Sequence, residues 1–303
     1  MSVDVHQHLW TPAFTDALRR RHAAPYLDGW TLHLDGEPPF TVDPATHDLA
    51  RRSAADHDLD IALVSLSSPL GIEHLPATEA WPIIEAYHED ASALPRPFRA
   101  WAATCVDDPD PGRLEKDLAS GLVGLQLPAT AVQGAEGLER VARLLDTLAD
   151  RDRPLFVHPG PAARHDGTPA EGPGWWPAVV TYVQQMHAAW YAWHAHGRPR
   201  HPRLRVCFAL LAGLAPLHGE RLLARGGSGR GRVDPLTFVE TSSYGPRAID
   251  AVIRELGVDV VVNGSDRPYA TAPETGLGAA ADHAIRTANP RRLLGYPSIA
   301  TCV

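Results

Sequence analysis

The chain carries one lysine, Lys116, and three cysteines, Cys105, Cys207 and Cys302, none of them in a C-x-x-C pair. Three widely spaced thiols make no disulfide framework, and a reducing, cytoplasmic setting is the expected one. There is no basic run, and the formal net charge is −8, which excludes nucleic acid as an expected partner. No apolar run approaches membrane-spanning length, so no membrane association is expected. The first residues also lack the basic-then-apolar order of a secretory signal. The phosphate-cradling G-x-G-x-x-G and Walker patterns are missing, as are the serine nucleophile elbow G-x-S-x-G and the zinc-protease H-E-x-x-H. What remains is an ordinary globular composition, 44% hydrophobic and 21% charged over 303 residues, enough for two average domains or one large α/β barrel.

Short apolar runs alternate with longer amphipathic segments. Strands are predicted at Val3–Val5, Ile61–Ser65, Arg99–Ala103, Leu122–Leu127, Pro154–Val157, Arg205–Ala209, Thr237–Glu240 and Val258–Val262. These runs are too short for helices and mostly apolar throughout, as parallel strands buried on both faces are. Helices are predicted between them, among them Leu138–Ala149, Val179–His194 and Pro246–Leu256. The last opens on a proline suited to a first helical turn and ends before Gly257. Eight such repeats without a domain linker predict one α/β domain over residues 1–303, a (β/α)8 TIM barrel; an open doubly wound sheet is the alternative. Two insertions break the rhythm after strands one and five and are lid candidates. Pro25–Val42 reads as a β-hairpin turning at Asp35-Gly36, and Gly160–Trp176 is rich in Gly and Pro.

The first strand runs into Asp4-Val5-His6-Gln7-His8. Side chains alternate along a strand, so His6 and His8 point the same way, close enough to share one metal ion. His158 ends the fifth predicted strand before Pro159-Gly160, and Asp266 follows the eighth before a turn. In a barrel these strand ends converge on one opening, where three imidazoles and a carboxylate make a mononuclear site with room for water or substrate.

These motifs resemble the amidohydrolase superfamily, in particular its amidohydrolase-related branch, which includes aminocarboxymuconate-semialdehyde decarboxylase, resorcylate-type decarboxylases and lactone hydrolases. Asp4–His8 resembles the opening motif of that branch. Leu155–Gly160 resembles its fifth-strand histidine motif, Gly264-Ser265-Asp266-Arg267-Pro268 its closing G-S-D-x-P, and Asn289–Leu294 the start of its final helix. The resemblance implies that His6, His8, His158 and Asp266 hold one divalent metal, zinc first and manganese second, with Asp266 also relaying a proton. Two-metal members use a carboxylated lysine at the end of strand four. Here Gln126 and Leu127 stand there and Lys116 lies earlier, so one metal is expected.

The sixth strand departs from the pattern, with Leu210 where the branch carries a histidine that orients water or shuttles a proton. Three readings stay open: Asp266 or His218 takes the role, the reaction needs no such histidine, or the site binds metal without turnover. Trp30, His33, Arg164, His165 and Arg267 are candidates to touch substrate, the two arginines as forks for a carboxylate. The expected partner is a small molecule, with a homodimer left open. The expected reaction is hydrolysis of a lactone, ester or amide by metal-activated water, with decarboxylation of an unsaturated or aromatic acid as the alternative.

Overall fold

Eight parallel strands follow one another around a closed ring in the computed structural model, which describes residues 1–162, 172–228 and 233–296. The barrel strands are β1 (Val3–Gln7), β5 (Ile61–Val64), β6 (Phe98–Ala100), β7 (Leu125–Pro128), β8 (Leu155–His158), β9 (Val206–Phe208), β10 (Thr237–Glu240) and β11 (Val261–Val262). Hydrogen-bonded ladders run β1-β5-β6 and β7-β8-β9-β10-β11. Two single bridges join these arcs, Ala102 to Leu125 and Gln7 to Arg267. Main-chain bonds from Val5 N to Asn263 O (2.9 Å) and from Asp266 N to His6 O (2.9 Å) complete the seam between the last strand and the first. All but β6 are buried along their whole length, which is why they read as continuous apolar runs rather than alternating ones.

The predicted order is the observed order, and the differences lie at element ends. Val258–Val260 forms a tight helical turn, so the last strand keeps only two residues. The predicted helix Leu138–Ala149 is two helices, α5 (Ala135–Arg140) and α6 (Ala142–Asp150), meeting at Val141, whose φ of −96° and ψ of 4° leave the helical region. Helix α10 (Pro246–Leu256) begins on its proline, seats Ile249 and Val252 in the core and stops at Gly257, which has a φ of 82°. Beneath the mouth, Trp101 and Phe156 stack at 5.2 Å, both fully buried, and Trp101 Nε1 donates to Val5 O (3.0 Å). This aromatic floor fixes the depth at which the first-strand histidines stand.

The first insertion is a small antiparallel sheet of β2 (Tyr26–Asp28), β3 (Thr31–His33) and β4 (Phe40–Thr41). Its tight turn is Gly29-Trp30, with Gly29 at a φ of 61°, and not the expected Asp35-Gly36, which lies in the longer β3–β4 loop. A two-residue hairpin needs positive φ, and Gly29 supplies it at no steric cost. Most of the second insertion, with Arg164 and His165, lies outside the described residues.

Candidate metal centre

Alternation in β1 places His6 and His8 on the inner face, while Gln7, between them, faces outward toward helix α2 (Leu49–Ala55). There Gln7 Nε2 donates to Asp4 Oδ2 (2.9 Å) and Asp56 Oδ1 (3.2 Å), and the Arg52 guanidinium donates to Gln7 Oε1 and to His8 O. Asp4 Oδ1 accepts from Ser265 N (3.1 Å), tying the first strand to the closing turn. The non-histidine residues of the opening motif thus hold the strand that carries the histidines.

The ligand atoms of His6, His8, His158 and Asp266 lie within 4.8 Å of one another. His6 Nε2 is 3.1 Å from His8 Nε2, and Asp266 Oδ1 is 3.3 and 3.1 Å from the two. The His158 ring stands edge-on to both, with centroids at 4.8 and 5.1 Å. Each imidazole turns its other nitrogen to an oxygen. His6 Nδ1 faces Glu240 Oε1 (3.1 Å), His8 Nδ1 faces Ser65 O (3.0 Å) and His158 Nδ1 faces Pro159 O (2.8 Å). Those oxygens only accept, so each Nδ1 carries the hydrogen and each Nε2 presents a lone pair. Lone pairs and a carboxylate oxygen at about 3 Å cannot hydrogen-bond to one another; a cation or a proton must lie among them. The donor set, three neutral imidazoles and one carboxylate, suits zinc or manganese.

The electrostatics agree. Burial pushes His8 down and His158 well below the ordinary imidazole range. Burial would do the same to His6, but the carboxylates of Asp266, Glu240 and Asp4 outweigh it and raise its pKa. Burial works to raise Asp266, yet the three histidines hold it below the usual carboxylate value. Of the four, Asp266 is also the one with appreciable exposure, 18% of its side chain against 1–2% for His6 and His8.

The remaining candidates fall elsewhere. Arg267 is committed to Asp56 and to Ala55 O, because the turn at Asp266 (φ 58°) sends its side chain back over α2; its guanidinium pairs with a neighbouring acid rather than standing open as a carboxylate fork. His33 stacks on Tyr26 (4.4 Å) and Trp30 lies under Arg19 (5.1 Å), both contacts within or beside the insertion. His218 packs edge-on against His187 (4.9 Å), in a groove shared with Arg221 and Arg225. His201, which reads in sequence as part of a solvated helix end, is buried against Trp193 and paired with Asp146. Lys116 lies in helix α4 (Pro111–Ala119), away from the end of strand four, where the Gln126 amide donates to Leu66 O (2.8 Å) and Ser68 Oγ (2.7 Å).

Two features of the site were not read from the sequence. Tyr269 brings its ring to 5.5 Å from that of His8 and remains half-exposed at the rim. Glu240, fully buried at the end of β10, backs His6; the signal was there, an acid ending an apolar strand just as His158 ends β8. A cavity of about 270 Å³ lies between the first insertion and the loop after β5, lined by Leu34, Asp35, Glu37, Leu70 and His74 among others; none of the four clustered residues lines it.

A (β/α)8 barrel with a three-histidine, one-aspartate cluster at its mouth is the class that fold and site define. No protein-family model matches the sequence, and no curated protein matches it. Solved structures do match. An IDCase from Metarhizium anisopliae in apo form has a TM-score of 0.75 at 19% identity, over 97% of this chain and 97% of that one. A 5-carboxyvanillate decarboxylase from Novosphingobium aromaticivorans with bound manganese has a TM-score of 0.73 at 16% identity, over 97% of both. A 2,6-dihydroxybenzoate decarboxylase from Rhizobium has a TM-score of 0.68 at 19% identity, over 97% of this chain and 98% of that one. The barrel fold expected from the motifs is the fold these proteins share. Among the described residues no helix is long and apolar enough to cross a membrane.

Proposed function

We propose that the chain is a metal-dependent enzyme of the amidohydrolase type that decarboxylates a small unsaturated or aromatic carboxylic acid. The observation that carries the metal is the convergence of three imidazole lone pairs and one carboxylate oxygen, each imidazole already fixed by its far nitrogen. Hydrolysis, the first reading from the motifs alone, becomes the second. The sixth-strand position that would orient water is Leu210, a side chain that can hold no proton, and two of the similar structures are decarboxylases.

When bound, a divalent zinc or manganese would hold and polarise the substrate oxygens next to the reacting carbon. Asp266, the exposed member of the cluster, would take a proton from the substrate and return it; its exposure supports this role. In the decarboxylation the carbon–carbon electron pair stays on the substrate carbon, that carbon takes one proton, and carbon dioxide leaves; no oxidant is needed. The half-exposed Tyr269 ring gives a flat substrate a surface beside His8. Hydrolysis keeps one observation in its favour: Asp266 is the exposed carboxylate of the cluster, open to a water as well as to a substrate.

The test offers metal-loaded protein a panel of aromatic and unsaturated acids beside lactones, esters and amides. The expected result is carbon dioxide release that a chelator stops and added metal restores. Ring opening or ester cleavage without carbon dioxide would transfer the assignment to hydrolysis. Turnover of neither class by metal-replete protein would make the barrel a binding protein.

A further inference from the structure

We infer that Glu240, held by the main-chain N–H of Leu210, is a positioning residue that sets the orientation and basicity of His6 toward the metal. The inference rests on the metal-site reading above. Glu240 is fully buried, and an ionised carboxylate there is costly unless its oxygens are satisfied. They are. Oε1 accepts from Leu210 N (2.8 Å) and Ser242 Oγ (2.6 Å) and faces His6 Nδ1 (3.1 Å), while Oε2 accepts from Ser242 N (2.6 Å). The carboxylate meets the far nitrogen of His6, so it is no metal ligand. It fixes which nitrogen carries the hydrogen, locks the ring plane and increases the electron density at Nε2.

Two otherwise unexplained features belong to the same device. Leu210 to Leu214 all have φ between 46° and 60°, a left-handed stretch with a single glycine, Gly213. Such a stretch is unfavourable for L-residues, and it begins at the residue whose N–H reaches Glu240. Where related barrels end strand six in a histidine side chain, this chain uses the backbone of Leu210 to hold an acid from strand seven. The second feature is Gly264, in the closing motif: a Cβ there would overlap Glu240 Oε2 and press on the Cβ of His6. The glycine keeps open the space in which acid and imidazole meet.

Zinc and manganese affinities of wild type and Glu240→Gln, measured by competition with a chromophoric chelator, test this. Glutamine keeps the shape but removes the charge and misplaces a donor among donors. The expected result is binding weaker by roughly 10- to 100-fold with stoichiometry still one per chain. Val252→Ala, a core change in α10, serves as the control that loses thermal stability while keeping its metal affinity. If Glu240→Gln lowers stability as Val252→Ala does and leaves both affinities within twofold, the inference is overturned while the metal site stands. If wild type itself binds no metal, the metal-site reading fails. Should Glu240→Gln not fold, zinc-loaded wild type answers the question by proton NMR. A far-downfield, exchange-protected imidazole N–H from His6 is expected, and its absence overturns the inference.

Discussion

His158→Ala is expected to take the protein from one bound divalent metal per chain to none. His6, His8 and Asp266 all come from one side of the mouth, the first strand and the turn that closes onto it. His158 comes from β8, across the ring, and its loss leaves three donors on one side with no anchor opposite. Elemental analysis after loading and washing should find one equivalent of zinc or manganese in wild type and none in the variant. A melting experiment gives the same answer in energy. A ligand at a hundred times its Kd stabilises the folded state by about 2.7 kcal/mol. With an unfolding entropy of about 2.1 cal/mol/K per residue, a chain of this length should melt about 4 °C higher in metal, and the variant should not shift. Asp266→Ala should behave like His158→Ala. Full metal occupancy in either variant, or none in wild type after loading, would remove the basis of the proposed function.

His158 and Asp266 were legible in the sequence because each follows an apolar strand where it gives way to a turn, and His6 and His8 because their spacing puts both on one face of the first strand. The barrel was legible for a related cause, since strands buried on both faces leave no alternation to confuse with a surface sheet. What was not legible depends on dihedral angles and long-range approach. Arg267 follows Asp266 in sequence, but the positive φ at Asp266 decides that its guanidinium returns to Asp56. The hairpin turn moved from Asp35-Gly36 to Gly29-Trp30, because both pairs offer a glycine and only the pairing register of the strands chooses between them. Glu240 was within reach of the rule that found His158. What marks it out is its long-range approach to His6, which an acid at a strand end does not reveal by itself. Leu210 is legible as a departure from the motif the sequence resembles. What the sequence could not convey is that its main chain carries the interaction.

Glu73→Gln is expected to make the protein more stable at alkaline pH, by about 3 kcal/mol at pH 8 but by less than about 1 kcal/mol at pH 5. Glu73 follows β5 and is fully buried. Ser68 Oγ donates to its Oε1, while its Oε2, like Gln126 Oε1, has no hydrogen-bond partner among the described residues. Burial is the main cause that pushes its pKa from 4.5 to about 7, against the opposing hydrogen bond from Ser68. The phenol of Tyr87, also fully buried, is the other titratable group that senses it. The folded chain therefore holds this proton at pH values where the unfolded chain has released it. Between about pH 4.5 and 7 the native state binds more protons, so stability falls as pH rises through that window and levels off above it. A glutamine is neutral throughout and escapes that loss. Denaturant unfolding of both proteins from pH 5 to 8 measures the difference directly, because every other titrating group is common to the two and cancels. Curves that stay parallel across the range would show that Glu73 is ionised at no cost in the folded protein. Curves that converge at the acid end and separate as pH rises would locate a buried, neutral carboxylic acid behind strand four, where two-metal barrels place a charged lysine derivative and this chain has Gln126.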